Sequence, residues 1–168
     1  MNLNPTIKSK VIIVVGRKGV GKSTFIRSLT MKANIESLFI YDHNFDHQDY
    51  YKKPFLNFPE FAELSNKIMR GIIVYEEATI FLGHMKNFSM QELLVSSRRR
   101  ENTVILVFHS LRSVPRYIYD LGNFIVLFKT NDEYKFVNHR FESPDLLKLF
   151  ESVKKNSNPY YYEILEYA

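Results

Sequence analysis

The sequence contains no cysteine, which excludes disulfide-stabilised scaffolds, thiol catalysis and cysteine-ligated zinc sites. It also lacks a long hydrophobic run near its start, since the apolar stretch over residues 11–15 is too short for a signal sequence or a membrane span. We therefore expect a soluble, cytoplasmic protein. Glycine is scarce as well, with 6 residues in 168, yet Gly16, Gly19 and Gly21 are clustered. Such a cluster in a glycine-poor chain indicates a local requirement of the backbone.

The composition is that of an ordinary globular protein. Hydrophobic residues make up 45% of the chain and charged residues 24%, which favours one domain with a real core over a disordered or fibrous chain. We expect that domain to cover residues 1–168. The net charge is +5 and the pI is about 9.3. This mildly basic balance is compatible with a nucleic-acid partner but does not require one.

Apolar runs alternate with stretches that can form helices. The runs predict strands over residues 11–15, 37–42, 72–75, 103–108 and 123–128. Helices are predicted over residues 23–32, 59–70, 90–100 and 143–154, with Ser89 and Glu92 as a capping box for the third. Residues 132–141 are interpreted as a hairpin arm, and no element is predicted for the tyrosine-rich tail from residue 156. The alternation predicts an α/β fold, with a mainly parallel central sheet covered by helices on both faces.

A phosphate-binding motif stands between the first predicted strand and the first predicted helix. Residues 16–23 match the pattern G-x-x-x-x-G-K-[ST] in full. The glycines let successive backbone N–H groups point at one anion, and the positive end of the helix adds to the attraction. Lys22 is predicted to contact the β- and γ-phosphates of ATP, and the Ser23 hydroxyl to ligate Mg²⁺. The nucleotide-binding residues are therefore predicted as Gly16, Arg17, Lys18, Gly19, Val20, Gly21, Lys22, Ser23 and Thr24.

Two adjacent carboxylates, Glu76 and Glu77, follow the third predicted strand. Phosphoryl transfer uses one carboxylate in the Mg²⁺ shell and a second group to orient or deprotonate water. We assign Glu76 to the metal and Glu77 to the water; the alternative is a solvated strand end. Aspartate is the usual residue at the metal position, so the longer Glu76 side chain could alter the metal geometry or slow turnover.

The stretch over residues 96–115 contains Arg98, Arg99 and Arg100, then the fourth predicted strand, then His109 and a turn with Arg112 and Pro115. Together with the phosphate loop, this order resembles the FtsK–HerA superfamily of DNA-pumping ATPases, which includes viral genome-packaging ATPases and zonula-occludens-toxin-like phage proteins. The resemblance covers residues 11–130. It implies a RecA-like (ASCE-type) P-loop NTPase fold, with residues 131–168 as a hairpin and helix extension.

The resemblance also implies roles for particular residues. His109 takes the place of a γ-phosphate sensor that is often glutamine in the family. One of Arg98, Arg99 and Arg100 would be a finger that reaches the nucleotide of a neighbouring subunit, which implies a homo-oligomeric ring. The alternatives are a surface histidine and a solvated helix end whose charge suits the helix dipole.

Several further polar and aromatic residues have less specific interpretations. Five arginines against two acidic residues give residues 98–120 a local charge of +3, and in the channel of a ring they would contact DNA phosphates without reading sequence. Lys148, Lys154 and Lys155 are interpreted as a solvated helix face, with a second DNA-contacting surface as the alternative. The aromatic loop over residues 41–58 is interpreted as local packing, with base stacking or a subunit contact as alternatives. His43 and His47, with Asp42, Asp46 and Asp49 nearby, are interpreted as polar loop residues and not as metal ligands.

Together with these residues, the resemblance implies an ATP-hydrolysing, DNA-translocating motor for viral or mobile-element genome packaging or export, with DNA and capsid or other packaging proteins as partners. Two alternatives stay open. A P-loop kinase acting on a small molecule or nucleotide would use Arg98–Arg100 as a lid, and a non-hydrolysing nucleotide switch would be consistent with Glu76. A GTPase is not predicted, because N-K-x-D and D-x-x-G elements are missing from the sequence.

Overall fold

A computed structural model of the chain describes residues 9–31, 37–45, 47–49, 51, 57–82 and 88–167. Within these ranges one sheet contains six strands, which are β1 (Val11–Val15), β2 (Leu38–Tyr41), β3 (Ile72–Tyr75), β4 (Thr103–Phe108), β5 (Phe124–Phe128) and β6 (Tyr162–Glu166). The helices in the same ranges are α1 (Lys22–Thr30), α2 (Phe58–Ser65), α3 (Ala78–Leu82), α4 (Phe88–Ser96), α5 (Arg116–Leu121), α6 (Tyr134–Phe141) and α7 (Pro144–Lys155).

The strand order in the sheet is β2-β3-β4-β1-β5-β6. The first five strands in this order are parallel, and β6 runs antiparallel to β5. β4 therefore lies between β1, which precedes the phosphate loop, and β3, which precedes the two glutamates. The carboxyl ends of parallel strands share one edge of a sheet, where α/β proteins bind their ligands. The topology thus brings the residues that follow β1, β3 and β4 to one edge.

The core lies on both faces of the sheet, as the uninterrupted apolar strands predict. Alternate side chains of β1 enter two separate clusters: Ile13 and Val15 pack on one face, and Ile12 and Val14 on the other. Helix α1 covers the second face with Phe25 and Ile26. Helices α2 to α7 contribute to the first face. The predicted α/β class, with a mainly parallel sheet between helical layers, is confirmed.

The C-terminal part of the chain differs from the sequence-based expectation. The hairpin arm predicted for residues 132–141 is wrong, since Tyr134–Phe141 forms helix α6. Val137 and Phe141 are both buried, and their spacing of four residues is that of one helix face. The tail without a predicted element contains β6, which extends the sheet beside β5.

Several helix boundaries also differ, among them the end of α4 at Ser96, four residues before the predicted end at residue 100. Helix α4 begins at Phe88, so Ser89 lies inside the helix and does not cap it as predicted. Helix α2 ends at Ser65, five residues before the predicted end at residue 70. Its start has a capping box that sequence analysis missed, in which Asn57 and Glu60 satisfy each other's backbone N–H groups. No helix in the described ranges combines the length and the apolar character needed to cross a membrane.

Candidate nucleotide-binding site

The phosphate loop is tethered to the strands on both sides of β1. The Gly16 N–H donates to the Phe108 carbonyl at the end of β4 (3.1 Å), and the Arg17 N–H donates to the Lys129 carbonyl just after β5 (2.9 Å). A Cβ atom at Gly16 would lie 2.5 Å from the Cβ of Phe128, closer than packed atoms approach, so the close approach of the two chains requires glycine. The first residue of the loop is therefore fixed by three neighbouring strands.

The remaining glycines of the loop adopt left-handed backbone conformations. Gly19 has a φ of 81° and Gly21 a φ of 94°. Residues with a Cβ atom rarely adopt such positive φ angles, because the Cβ atom clashes with the backbone. Helix α1 begins directly after Gly21, and the first backbone N–H groups of a helix have no carbonyl partner within it. The Lys22 side chain is buried and folds back over the loop, so that its Nζ donates to the carbonyls of Gly16 (2.7 Å) and Arg17 (3.1 Å). Backbone donors and one ammonium group thus surround the position of an anion.

A cleft of about 600 Å³ opens over this loop. It is formed by the loop, the segments that follow β2, β3 and β4, and the turn that precedes β6. Its lining residues are Lys18, Gly19, Gly21, Lys22, Ser23, Thr24, Asn44, Glu76, Glu77, His109 and Tyr160. The structure therefore brings the predicted Lys22, Ser23, Glu76, Glu77 and His109 into one cavity, although they come from three separate parts of the sequence.

Glu77 and His109 form a hydrogen-bonded pair at the wall of this cleft. The His109 Nε2 lies 2.5 Å from the Glu77 Oε2, and the Asn44 Nδ2 donates to the other carboxylate oxygen (3.1 Å). Glu77 adopts a left-handed conformation with φ of 59°, which turns its side chain out of the line of β3. The backbone N–H of His109 donates to Thr79 Oγ1 (3.0 Å). Both oxygens of the carboxylate are thus oriented by neighbours before any ligand is bound.

Glu76 is held by a histidine that sequence analysis did not assign to the site. His47 is fully buried, and its Nε2 lies 2.6 Å from the Glu76 Oε1. The His47 backbone N–H donates to Asp42 Oδ2 (2.8 Å), and the Glu76 N–H donates to the Tyr41 carbonyl (3.0 Å). His47 lies in a turn after β2, in agreement with its interpretation as a loop residue, but its burial against Glu76 was not predicted. His43 is exposed, and Asp46 lies outside the described residues.

The end of β3, which positions both glutamates, is anchored by Tyr75. Its hydroxyl donates to Ser65 Oγ on α2 (2.9 Å), and burial raises the pKa of Tyr75 well above its ordinary value. The ring is among the largest fully buried side chains of the protein. Glu76 and Glu77 therefore directly follow a residue that is fixed by packing and by a hydrogen bond.

The residues present fit a Mg²⁺ ion. Mg²⁺ prefers oxygen ligands and is usually held by one or two protein oxygens, substrate phosphates and water. Ser23 and Glu76 both line the cleft and supply a hydroxyl and a carboxylate. The described part of the chain contains no group of three or more histidine, aspartate or glutamate side chains that could hold a metal by themselves. A metal held jointly by the protein and a nucleotide is consistent with this donor set.

The arginine triplet lies at the other edge of the sheet. Arg98 and Arg99 are exposed, and the Arg100 guanidinium lies 3.9 Å from Glu92. All three precede β4, whose last residue pairs with the last residue of β1. Six strand residues span roughly 20 Å, so the triplet is about that far from the phosphate loop of its own chain. It does not form a lid over this cleft, which disfavours the kinase hypothesis.

Sequence analysis missed Asn44, Thr79, Asp132 and Tyr160 as residues of the site or its support. Asp132 is buried, and its carboxylate accepts hydrogen bonds from the backbone N–H groups of Leu111 (2.7 Å) and Arg112 (3.3 Å). It thereby holds the turn that follows His109. An aspartate soon after a buried strand is a weak signal for this role, and the other three residues had no local pattern.

Solved structures share this fold over nearly its whole length. B204, the DNA-packaging ATPase of Sulfolobus turreted icosahedral virus, superposes with a TM-score of 0.75 and 17% identity, covering 95% of this chain and 93% of that chain. The genome packaging NTPase B204 of Sulfolobus turreted icosahedral virus 2, solved with AMPPCP, gives 0.74 and 20%, covering 94% and 92%. The N-terminal domain of zonular occludens toxin from Neisseria meningitidis gives 0.55 and 12%, covering 74% and 78%.

The fold is thus the P-loop NTPase fold of these solved structures. Neither a protein-family model nor a curated protein matches the sequence. The resemblance stated from the phosphate loop and the residues around β4 is confirmed at the level of the fold.

The buried Glu76–His47 contact leads to a prediction about stability. His47→Ala would leave the Glu76 carboxylate buried without this partner, and removing one member of such a pair costs about 3 kcal/mol. Urea denaturation should show this loss in the free energy of unfolding. The matched control is Lys67→Ala, which breaks the Lys67–Glu63 contact of the same length, 2.6 Å, between two largely exposed side chains. We expect little change for the control, and equal effects of the two variants would contradict the role given to His47.

Proposed function

We propose that this protein is an ATP-hydrolysing, DNA-translocating motor that packages or exports the genome of a virus or mobile element. The observation that carries the proposal is the convergence of the phosphate loop, Glu76 and the Glu77–His109 pair in one cleft. It is supported by a fold shared with a viral DNA-packaging ATPase over more than nine-tenths of both chains. Crystals of a similar NTPase with AMPPCP and with ATP-γS support ATP as the ligand.

In this proposal each group of the cleft has a role in hydrolysis. The backbone donors of residues 16–23 and the Lys22 ammonium bind the phosphates. Glu77 orients the attacking water and accepts its proton, since its carboxylate is oriented by Asn44 and His109. His109 hydrogen-bonds the γ-phosphate or the water, and so couples the end of β4 to the state of the nucleotide. Mg²⁺, held by Ser23 and Glu76 when bound, would neutralise charge on the β- and γ-phosphates.

The position of the arginine triplet supports a ring in which sites are completed between subunits. Because Arg98 and Arg99 are exposed at the far edge of the sheet, they are available to a neighbouring copy and not to their own cleft. Arg100 is less available, since it lies beside Glu92 and its backbone carbonyl accepts a hydrogen bond from the Arg70 N–H. We therefore favour Arg98 or Arg99 as the finger.

A mixing experiment tests this arrangement. A variant with Arg98 and Arg99 replaced by alanine should hydrolyse ATP slowly, because arginine fingers contribute roughly 10³-fold or more to turnover. Lys22→Ala should be inactive for a different reason, the loss of its own site. A mixture of the two variants should regain hydrolysis, because Lys22→Ala subunits still offer their arginines to intact neighbouring clefts. A mixture no more active than the sum of its parts would contradict completion between subunits.

DNA contact is proposed for exposed arginines at both ends of the layer that α4 and α5 form. Arg98 and Arg99 follow α4, Arg112 lies in the short 3₁₀ turn after β4, and Arg116 is the first residue of α5. The second two are positioned by neighbours: Arg112 stacks over Phe136 (4.7 Å), and Arg116 Nε donates to Asp120 (2.9 Å). Contacts of this type recognise phosphates, so binding should weaken steeply with salt.

Directional movement on DNA is the defining test of the proposed activity. A triplex-forming oligonucleotide is annealed to a duplex, and its release is followed after addition of protein and ATP. A motor that moves along the duplex displaces the third strand only when ATP is hydrolysed. Release with ATP, and none with a non-hydrolysable analogue or with Lys22→Ala, is expected. Hydrolysis without any displacement, on duplexes of several lengths, would contradict translocation.

A further inference from the structure

One residue of the cleft has no part in the phosphate chemistry. Tyr160 lines the cavity, and its side chain is 63% exposed. A Cβ atom placed on Gly21 would lie 3.7 Å from the Tyr160 Cδ1, so the ring stands directly beside the end of the phosphate loop. An aromatic ring this exposed offers a face on which another aromatic group can pack.

The strand order places Tyr160 at the end of the cleft away from the glutamates. Glu76 and Glu77 follow β3, which lies two strands from β1 on one side, and Tyr160 precedes β6, which lies two strands from β1 on the other. Neighbouring strands are about 4.8 Å apart, so the strands that position the two groups are separated by roughly 19 Å across the sheet. A nucleotide whose γ-phosphate faces Glu77 therefore has its base directed toward Tyr160.

The turn that presents Tyr160 is held in place from below. The Asn158 side-chain oxygen accepts from the Tyr160 N–H (2.9 Å), and the Asn156 side-chain oxygen accepts from the Asn158 N–H (2.9 Å). Lys129 Nζ, at the end of β5, donates to the Asn156 carbonyl. Two residues after Tyr160, the ring of Tyr162 packs edge-on against Phe25 of α1, with ring centroids 5.0 Å apart. It also packs at a tilt against Phe128 of β5 (4.9 Å). The C-terminal segment is thus docked on the elements that flank the phosphate loop.

From this geometry we infer that Tyr160 is the base-stacking residue of the nucleotide site, and that the C-terminal strand β6 serves to position it. The ligand class is a nucleoside triphosphate, whose base lies on the Tyr160 ring while the loop holds its phosphates. Every base offers an aromatic face, so stacking of this kind adds affinity without requiring a hydrogen-bonding code. The inference rests on the proposed function, because it assumes that the cleft binds a nucleotide.

The absence of tryptophan from the sequence allows a direct measurement. Tyr160→Trp introduces a single indole whose emission, excited at a wavelength that adenine does not absorb, reports stacking at this position alone. We expect ATP to quench this emission and inorganic triphosphate, which lacks a base, to leave it unchanged. The control is Tyr134→Trp on α6, where Tyr134 is 44% exposed and does not line the cleft; neither ligand should change its emission.

Affinities separate stacking from phosphate binding. By calorimetry, Tyr160→Ala should weaken ATP binding about tenfold or more and leave triphosphate binding unchanged, whereas Tyr160→Phe should bind ATP like the native protein. Unchanged ATP affinity in Tyr160→Ala, together with no quenching in Tyr160→Trp, would overturn the stacking role and leave the proposed function standing. A native protein that binds neither ATP nor triphosphate would overturn both. Equal weakening of ATP and triphosphate binding would show a structural effect on the loop and also contradict the inference.

Discussion

Lys22→Ala is expected to lower ATP turnover by at least about 100-fold, the usual cost of removing one preorganised group that stabilises developing charge. The native ammonium is buried over the loop, where it donates to the carbonyls of Gly16 and Arg17. The substitution removes the positive charge expected at the β- and γ-phosphates and leaves those carbonyls without this donor. Steady-state phosphate release measures the loss of turnover, and calorimetric titration with ATP measures any loss of affinity.

Lys18→Ala is the matched control for this prediction. Lys18 belongs to the same loop and lines the same cleft, but it is exposed, so its loss should change turnover by only a few fold. Thermal unfolding followed by circular dichroism shows whether either variant has lost its fold. Near-native turnover in a folded Lys22→Ala protein would mean that the cleft is not where ATP is cleaved.

Glu77→Gln is expected to bind ATP and fail to cleave it. Glutamine has the size of glutamate and keeps an oxygen for the Asn44 amide, so the cleft retains its shape. It cannot accept a proton from water, and general-base catalysis contributes about 10²- to 10⁴-fold. Single-turnover hydrolysis should fall by that factor, whereas the dissociation constant for ATP should stay within a few fold of the native value.

Two controls make this result specific. Glu63→Gln changes an exposed glutamate on α2 and should have no effect on hydrolysis. Adding His109→Ala to Glu77→Gln should lower the rate little further, because residues 2.5 Å apart that act as a unit do not have additive effects. Normal hydrolysis by the Glu77→Gln protein would remove the residue from the mechanism and favour a different water-orienting group.

Much of the site could be predicted because it follows from local patterns placed at the ends of parallel strands. The phosphate loop combines a motif with a strand before it and a helix after it. Glu76 and Glu77 follow β3, and His109 directly follows β4. Parallel topology then brings such strand ends together without any further information. The same reasoning gives the sheet and both helical layers.

The supporting residues could not be predicted, because their roles depend on contacts between distant parts of the chain. His47 follows β2 in a segment without helical or strand periodicity, and its contact with Glu76, the residue after β3, joins two distant parts of the chain. Tyr160 comes from a polar tail that reaches the cleft only because β6 pairs with β5. Helix α6 was missed because Val137 and Phe141 alone define its buried face.

The contact with His47 explains how a glutamate at position 76 is held in place. From the sequence alone, its extra methylene group is a departure from aspartate that could alter the metal geometry or slow turnover. In the structure one carboxylate oxygen is held at 2.6 Å by a buried histidine whose backbone is fixed by Asp42. The longer side chain is therefore held in one position, and such supporting contacts are what orient metal ligands in proteins.

The measurement that tests the central claim most directly is steady-state ATP hydrolysis by the purified protein, with and without duplex DNA, at low salt and over a wide range of protein concentrations. We predict that DNA stimulates hydrolysis and that the specific activity rises cooperatively with protein concentration, because each cleft is proposed to need an arginine from a neighbour. Slow hydrolysis that is indifferent both to DNA and to protein concentration would contradict a DNA motor and favour a nucleotide-dependent switch.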